Sequence, residues 1–440
     1  MTELTLLNDD QVQSFLRDGY IIVDANMPAE FHAQIDRQID DLFNGEGNPG
    51  NEILPRVPDL QEVLARPAVA GALTSLLGPD YLLHPHRHCH QNVPGSEGQH
   101  MHQDSYEADQ NVRHHRLRWL MALYYPQNVD GQMGPSSIVP GTQYLTGEDQ
   151  HGSPDELPLL GPAGTVTIIH YDMWHRAAAN VGERNRFMVK FLFTRMSEPR
   201  TPAWQHNGRG WTSTGHVDDV LCANLWNWLR GEGTRGDGVG CDESAAILSR
   251  RLSDGRESIR HDAAYRLGSM GEEGVPVLID ALCKEAAGRL KVNIERQYTN
   301  PAQFDTAYGL TAAGPAALPM LVEFLGDDAW WLRASAADVL GDIGLEATPS
   351  APALTRALKD ESDWVRRNAV EALGNIGSDA ASARKALAEC LTDINEAVRH
   401  NAALALAKIG SGDVAALNAA SEDENRCVRE LSTEALARLG

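Results

Sequence analysis

A short part of this 440-residue sequence concentrates side chains that bind metal ions. Six of the sixteen histidines lie within nineteen residues: His84, His86, His88, His90, His100 and His102. The first four alternate along a strand-like run and share one face, which is typical of pocket lining or a solvated strand edge. His102 and Asp104 are more specific, because residues two apart on a strand point the same way and can converge on one ion. Alone, this pair is typical of a polar strand edge, so a metal site needs a third ligand.

His175, which lies 71 residues after Asp104, is the third ligand that we favour. The pair His170 and Asp172 has the same spacing as His102 and Asp104, but it lies within five residues of His175. One strand end would then have to supply all three ligands, whereas the wider separation lets two strands meet across a barrel. Two imidazoles and one carboxylate that leave coordination positions open form the facial arrangement of non-haem Fe(II) oxygenases.

A guanidinium is expected beside this site. A polar connection at 180–185 joins the segment that contains His175 to a strand that begins at Arg186. If the connection is a hairpin centred between Asn180 and Val181, His175 and Arg186 are cross-strand neighbours. A small dicarboxylic acid bound to the metal at one end would then present its far carboxylate to the planar fork of the guanidinium.

The elements around these residues predict a β-rich domain that helices introduce. Asn8 and Gln11 form a capping box for a first helix, Gly19 ends it before a strand at 20–23, and a second helix begins at Pro28. Short strand-like runs separated by Pro and Gly follow, which is typical of a sandwich or jelly roll. These runs span 81–93, 118–125, 165–170 and 186–195.

The second half of the chain repeats every 33 residues. Eight columns keep this lag, among them Asp327, Asp360 and Asp393, and also Arg333, Arg366 and Arg399. Apolar spacing of three to four residues predicts two helices per unit, and such hairpins must stack to bury their apolar faces. Residues 245–440 resemble HEAT repeats, with an insertion around 284–301. Two roles stay open for them: a binding or dimerisation arm, or a stabilising appendage.

Composition limits the partners and the location. The net charge of −23 argues against nucleic acid or an anionic membrane and favours a small-molecule substrate, a protein partner or self-association. No run of eighteen apolar residues and no signal-like N-terminus occurs, which predicts neither a membrane span nor export. The six cysteines lie far apart and contain no CxxC pair, as expected in a reducing cytoplasm.

Four motifs in order give residues 7–195 a family resemblance. They are the helix and strand at 7–23, the His102-Gln-Asp104 triplet, the loop Gly134-Pro-Ser-Ser-Ile-Val-Pro-Gly141, and Trp174-His175 with Asn180 and Arg186. Together they resemble the phytanoyl-CoA dioxygenase family of Fe(II)- and 2-oxoglutarate-dependent oxygenases. The resemblance implies that O2 is the second co-substrate and that hydroxylation of an unactivated C–H bond is the default reaction.

The resemblance also implies roles for individual residues. His102, Asp104 and His175 would hold the iron, and Arg186 would bind the distal carboxylate of 2-oxoglutarate. Gln103 and Asn92 are further candidates for contacts near the co-substrate. The sequence departs from the family at Ala177, where Ser or Gly is usual, and at Thr142-Gln143, where Ser-His is usual. Because Asp104 is a carboxylate, halogenation is not expected.

The expected fold class is therefore α+β. An N-terminal double-stranded β-helix, or jelly roll, with flanking helices precedes a C-terminal all-α HEAT-type solenoid. The predicted domains are an oxygenase at 1–230, a Gly-rich linker at 231–245 and the solenoid at 246–440. The predicted substrate is a small organic metabolite. A protein or carrier-bound substrate recruited by the repeats, or a non-catalytic scaffold, are the alternatives.

Overall fold

A computed structural model of the chain describes residues 3–104, 114–146, 156–233, 243–289, 300, 304–410 and 412–439. The chain forms two compact units. The first comprises Met1–Asp104, Leu117–Arg195 and Pro202–Arg209, and the second comprises Ser105–Arg116, Met196–Thr201 and Gly210–Gly440. Most of the predicted linker at 231–245 lies outside the described residues, so the domain boundaries drawn from the sequence stay predictions.

The first unit opens with the predicted helix and strand. Helix α1 (Asp9–Asp18) begins with a capping box between Asn8 and Gln11. Gly19 ends this helix with a left-handed φ of 77°, which glycine adopts at little cost, and β1 (Tyr20–Asp24) follows at once. The helices that flank the sheets are α2 (Ala29–Gly45), α3 (Ile53–Arg56), α4 (Leu60–Leu64) and α5 (Pro67–Leu77).

The remaining strands of this unit form two antiparallel sheets together with β1. They are β2 (Tyr81–Asn92), β3 (Trp119–Tyr124), β4 (Ser136–Ile138), β5 (Leu157–Pro158), β6 (Thr165–His170), β7 (His175–Ala177) and β8 (Arg186–Arg195). The larger sheet has the order β1-β6-β3-β8-β2, and the smaller has the order β5-β4-β7. Every residue of β3, β6 and β8 is buried, so these three strands form the centre of the larger sheet. The two-sheet architecture confirms the expected jelly roll.

The predicted hairpin between His175 and Arg186 is wrong. β7 pairs with β4 in the smaller sheet, whereas β8 pairs with β2 and β3 in the larger one. The connection between them therefore crosses from one sheet to the other. The Asn180 side chain fixes this crossing, because its Nδ2 donates to the carbonyl oxygens of Asn92 (2.8 Å) and Arg184 (2.9 Å).

The second unit is helical. Its helices are α6 (Asp219–Leu229), α7 (Ala245–Arg251), α8 (Glu257–Ser269), α9 (Val275–Arg289), α10 (Asp305–Ala313), α11 (Leu318–Phe324), α12 (Trp330–Ile343), α13 (Ala351–Ala357), α14 (Asp363–Ile376), α15 (Arg384–Cys390), α16 (Glu396–Ile409), α17 (Val414–Ala420) and α18 (Arg426–Leu439). Within the described ranges, no helix combines the length and the apolar character needed to cross a bilayer.

Ion pairs between neighbouring repeats explain the aspartate and arginine columns of the sequence. Arg366 binds both carboxylate oxygens of Asp393, at 2.7 and 2.9 Å, and also donates to the carbonyl oxygen of Asp360. The equivalent pairs are Arg333–Asp360 and Arg399–Asp423. A fourth pair, Arg260–Asp305, spans the predicted insertion around 284–301, which lies mostly outside the described residues.

Candidate metal and co-substrate site

Backbone pairing brings the three predicted ligands together. The amide of His102 donates to the carbonyl oxygen of His175 and the reverse bond also forms, both at 2.9 Å. This isolated antiparallel bridge sets the two imidazole centroids 4.6 Å apart. One ligand atom from each of His102, Asp104 and His175 lies within 4.8 Å of the other two. His102 belongs to this single bridge rather than to one of the strands named above, although the sequence predicted a strand here.

Each imidazole is held in the orientation that a metal ligand needs. His102 Nδ1 lies 2.9 Å from the carbonyl oxygen of His100, and His175 Nδ1 lies 2.9 Å from that of Met173. A carbonyl can only accept, so both Nδ1 atoms carry the proton. The lone pair of each ring is then on Nε2, and His175 Nε2 lies 3.9 Å from Asp104 Oδ1.

Lys190 binds the other carboxylate oxygen of Asp104. The sequence did not predict this residue as part of the site. Its Nζ donates to Asp104 Oδ2 at 2.7 Å, and its side chain is 4% exposed. Lys190 lies four residues after Arg186 on β8, so the two cations share one face of the strand. The available signal was a lone lysine in the otherwise apolar run 187–193.

Charge in the site favours the protonation states that bind metal. Burial by itself raises the pKa of Asp104, but Lys190 and His175 outweigh it and hold this pKa well below its usual range. Burial lowers the pKa of His175 by more than Asp104 raises it. Near pH 7 the chain therefore presents an ionised carboxylate and a neutral imidazole, the forms that coordinate a cation.

Arg186 begins β8 and pairs in register with Asn92 of β2. Its side chain is 1% exposed, and its Nε donates to the carbonyl oxygen of Gly134 at 3.0 Å. Its Nη1 is buried and has no hydrogen-bond partner within the described structure. Asn92 Nδ2 donates to the same Gly134 oxygen and to Ala178 O, both at 2.9 Å. A buried guanidinium with an unused donor can bind an anionic ligand.

Other predicted residues bind the backbone around the site. Gln103 Nε2 donates to the carbonyl oxygens of Leu145 (3.0 Å) and Asp172 (2.5 Å), so this amide ties the segment between the ligands to two loops. Gln143 Nε2 likewise binds the carbonyl oxygen of Leu16 at 3.1 Å. A contact from Gln103 or Asn92 to the co-substrate stays a prediction.

The alternative pair, His170 and Asp172, forms a hydrogen bond between its own two residues. The Asp172 amide donates to His170 Nδ1 at 3.2 Å, and burial lowers the pKa of His170 to about 3. Among the described residues, neither belongs to a group whose ligand atoms converge. His84 of β2 is similarly used internally, because it accepts from the His86 amide and packs edge-on against Trp119.

A second converging group lies in the helical unit, where neighbouring cationic side chains already pair with its carboxylates. It consists of Glu257, His261 and Asp305, all within 4.8 Å. Asp305 Oδ2 is already bound by Arg260 at 2.5 Å. Burial lowers the pKa of His261, but Asp305 and Glu257 outweigh it and raise the pKa overall. Two carboxylates that already contact Arg260 and His261 need no metal ion beside them.

Fe(II) and 2-oxoglutarate fit the residues of the first group. Two imidazole nitrogens and one carboxylate oxygen form a donor set that suits Fe(II) and leaves positions for further ligands. The orphaned Nη1 of Arg186 supplies the buried cationic donor that a distal carboxylate requires.

Comparisons with known proteins match two separate parts of the chain to families. Residues 5–188 match the family described as phytanoyl-CoA dioxygenase (PhyH), and residues 306–367 and 351–437 match HEAT repeats. Both resemblances drawn from the sequence are thereby confirmed for these parts of the chain. No curated protein matches the chain as a relative.

Three of the solved structures that match this chain align with just under half of it. The non-heme alpha ketoglutarate dependent epimerase SnoN from nogalamycin biosynthesis has 17% identity, covers 43% of this chain and 81% of its own, and has a TM-score of 0.37. EctD from S. alaskensis, in its apoform, has 16% identity, coverage of 48% and 84%, and a TM-score of 0.39. CytC3 has 18% identity, coverage of 44% and 79%, and a TM-score of 0.35.

Proposed function

We propose that this chain, a non-haem Fe(II)- and 2-oxoglutarate-dependent oxygenase whose residues 5–188 form a phytanoyl-CoA dioxygenase domain, hydroxylates an unactivated C–H bond of a small organic metabolite. In the balanced reaction one atom of O2 enters the substrate as a hydroxyl and the other enters succinate, while 2-oxoglutarate loses CO2. Bound iron supplies the oxidising chemistry. The chain itself supplies ligands, orientation and exclusion of water.

The observation that carries the proposal is the convergence of His102, Asp104 and His175. Their ligand atoms lie within 4.8 Å of one another, and the Nδ1 contacts to carbonyl oxygens leave both Nε2 atoms available for an ion. We assign these three side chains as the iron ligands. These three protein ligands would leave positions on a bound ion open for a bidentate acid and for O2.

Arg186 is assigned the distal carboxylate of 2-oxoglutarate. It is fixed by its Nε contact to Gly134 O, and its Nη1 has no protein partner within the described residues. A buried guanidinium costs free energy unless an anion pairs with it, so ligand binding relieves an existing penalty. This pairing would orient the co-substrate before any reaction begins.

A small molecule is the substrate class that the composition favours. With a net charge of −23, the chain offers little attraction to nucleic acid or other polyanions. We assign the HEAT repeats a role in self-association or in binding a protein partner, and light scattering of the full chain tests the first of these. A substrate presented by a protein would give no turnover with free metabolites.

The test uses the full chain loaded anaerobically with Fe(II), then supplied with 2-oxoglutarate, ascorbate, O2 and a panel of metabolites. We expect substrate-dependent succinate and a product heavier by one oxygen atom, which carries label from 18O2. His102→Ala should abolish both signals. His100→Ala is the matched control, because this exposed residue contributes only its backbone carbonyl to the site. Equal succinate formation by His102→Ala would remove this site from the reaction.

A further inference from the structure

Lys190 is a cation in a place where a strand normally carries an apolar residue. It lies within β8, whose residues are all buried, and its ammonium contacts Asp104 Oδ2 at 2.7 Å. On β2 it faces His88, and on β3 it faces Leu123. The adjoining His90 carries no charge near pH 7, because burial and the neighbouring Lys190 lower its pKa to about 2. The ammonium is thus directed to the carboxylate that we assign to iron.

A carboxylate held in this way favours ligation through one oxygen, because its other oxygen already accepts a hydrogen bond from an ammonium. Oδ2 is occupied by Lys190, whereas Oδ1 faces His175 Nε2 at 3.9 Å. If Asp104 binds through one oxygen, this carboxylate and the two imidazoles together would use three positions of an octahedral ion. Three positions remain, which is the number that a bidentate 2-oxo acid and O2 require together. Ligation through two oxygens would leave one position too few.

We propose that Lys190 is a positioning residue that restricts Asp104 to a single metal-binding oxygen and so keeps a coordination position open for 2-oxoglutarate. This role rests on the proposed function, because it assumes that Asp104 is an iron ligand. A lysine that only stabilised the fold would affect unfolding and leave the coordination of a bound metal unchanged. The two roles therefore differ in a binding measurement.

The experiment compares wild type, Lys190→Met and the control Lys284→Met under anaerobic conditions. Lys284 is an exposed lysine of the helical unit that pairs with Asp280. Calorimetry with Co(II) measures metal binding, and the visible charge-transfer band of the Fe(II)–2-oxoglutarate chelate measures co-substrate binding. We expect Lys190→Met to retain one metal per chain but to bind 2-oxoglutarate about 10- to 100-fold more weakly, a loss as large as the one in metal affinity or activity that usually follows removal of a metal ligand's hydrogen-bond partner. Lys284→Met should match wild type.

The possible negative results separate a failure of the positioning role of Lys190 from a failure of the proposed function. If wild type binds metal and 2-oxoglutarate while Lys190→Met gives the same 2-oxoglutarate titration, the positioning role is overturned and the proposed function stands. If wild type binds no metal, the proposed function fails. Should Lys190→Met not fold, a crystal structure of wild type with Mn(II) gives the answer. One Asp104 oxygen on the metal and the other on Lys190 supports the role, and two oxygens on the metal contradict it.

Discussion

His114 provides a quantitative test of how the helical unit is stabilised. Its side chain is 3% exposed, with Nε2 3.3 Å from Glu371 and Nδ1 3.5 Å from Asp342. Burial alone would lower the pKa of His114, but the two carboxylates outweigh it and raise the pKa to about 9. The ordinary value of 6.5 applies to the unfolded chain. The folded chain therefore binds this proton more tightly than the unfolded chain does.

The size and the sign of the effect follow from these two values. The gap from 6.5 to about 9 corresponds to about 3 kcal/mol of stability, at about 1.4 kcal/mol per pKa unit. This contribution is fully present below pH 6.5 and is lost as the pH rises through 9. Integration leaves about 2–3 kcal/mol present at about pH 7 and almost none at about pH 10.

The assay is urea unfolding of the full chain, followed by far-ultraviolet circular dichroism at several pH values. At about pH 7 we expect His114→Gln to have a lower free energy of unfolding than wild type. This difference should shrink by about 2–3 kcal/mol as the pH rises to about 10. His400→Gln is the control, because burial lowers the pKa of His400 to about 3 and leaves it neutral throughout this range. A difference between wild type and His114→Gln that does not change with pH would refute the reasoning.

Three further predictions concern other parts of the chain. Arg186→Met should raise the KM for 2-oxoglutarate about 30- to 150-fold, because about 2–3 kcal/mol of charged hydrogen bonding is lost. Steady-state kinetics at saturating Fe(II) would measure this KM. Arg366→Met should lower the free energy of unfolding in urea by about 2–3 kcal/mol, because its partner Asp393 is 12% exposed and loses its cation. Adding Asp393→Asn should recover part of this loss. His170→Ala should lower the melting temperature but leave Co(II) affinity in calorimetry unchanged, and a loss of affinity would assign this histidine to the metal site.

Local signals in the sequence predicted local structure well. The capping box of α1 depends on Asn8 and Gln11, which are three residues apart, and the stop at Gly19 depends on one backbone conformation. The same holds for β6 and β8, whose ends at Thr165–His170 and Arg186–Arg195 agree with the apolar runs. The 33-residue lag likewise gave the repeat, because each Arg and Asp column is one side of an ion pair between neighbours.

Pairing between distant strands was not predictable in the same way. A polar connection of a few residues can close a hairpin or cross between sheets, and the stretch between His175 and Arg186 does the latter. Lys190 was missed because a single charge in an apolar strand has no periodicity, and its partner Asp104 is 86 residues away. The convergence of His102 with Asp104 was predictable because it needs only a two-residue spacing, although His102 occupies an isolated bridge.

The central claim is that His102, Asp104 and His175 form one metal site that accepts 2-oxoglutarate. An anaerobic titration of the full chain with Fe(II) and then 2-oxoglutarate tests it directly, with Asp104→Ala alongside. We predict one Fe(II) per wild-type chain and a visible charge-transfer band that saturates with 2-oxoglutarate, both absent from Asp104→Ala. A wild-type chain that binds no Fe(II), or an Asp104→Ala chain that develops the same band, would contradict the claim.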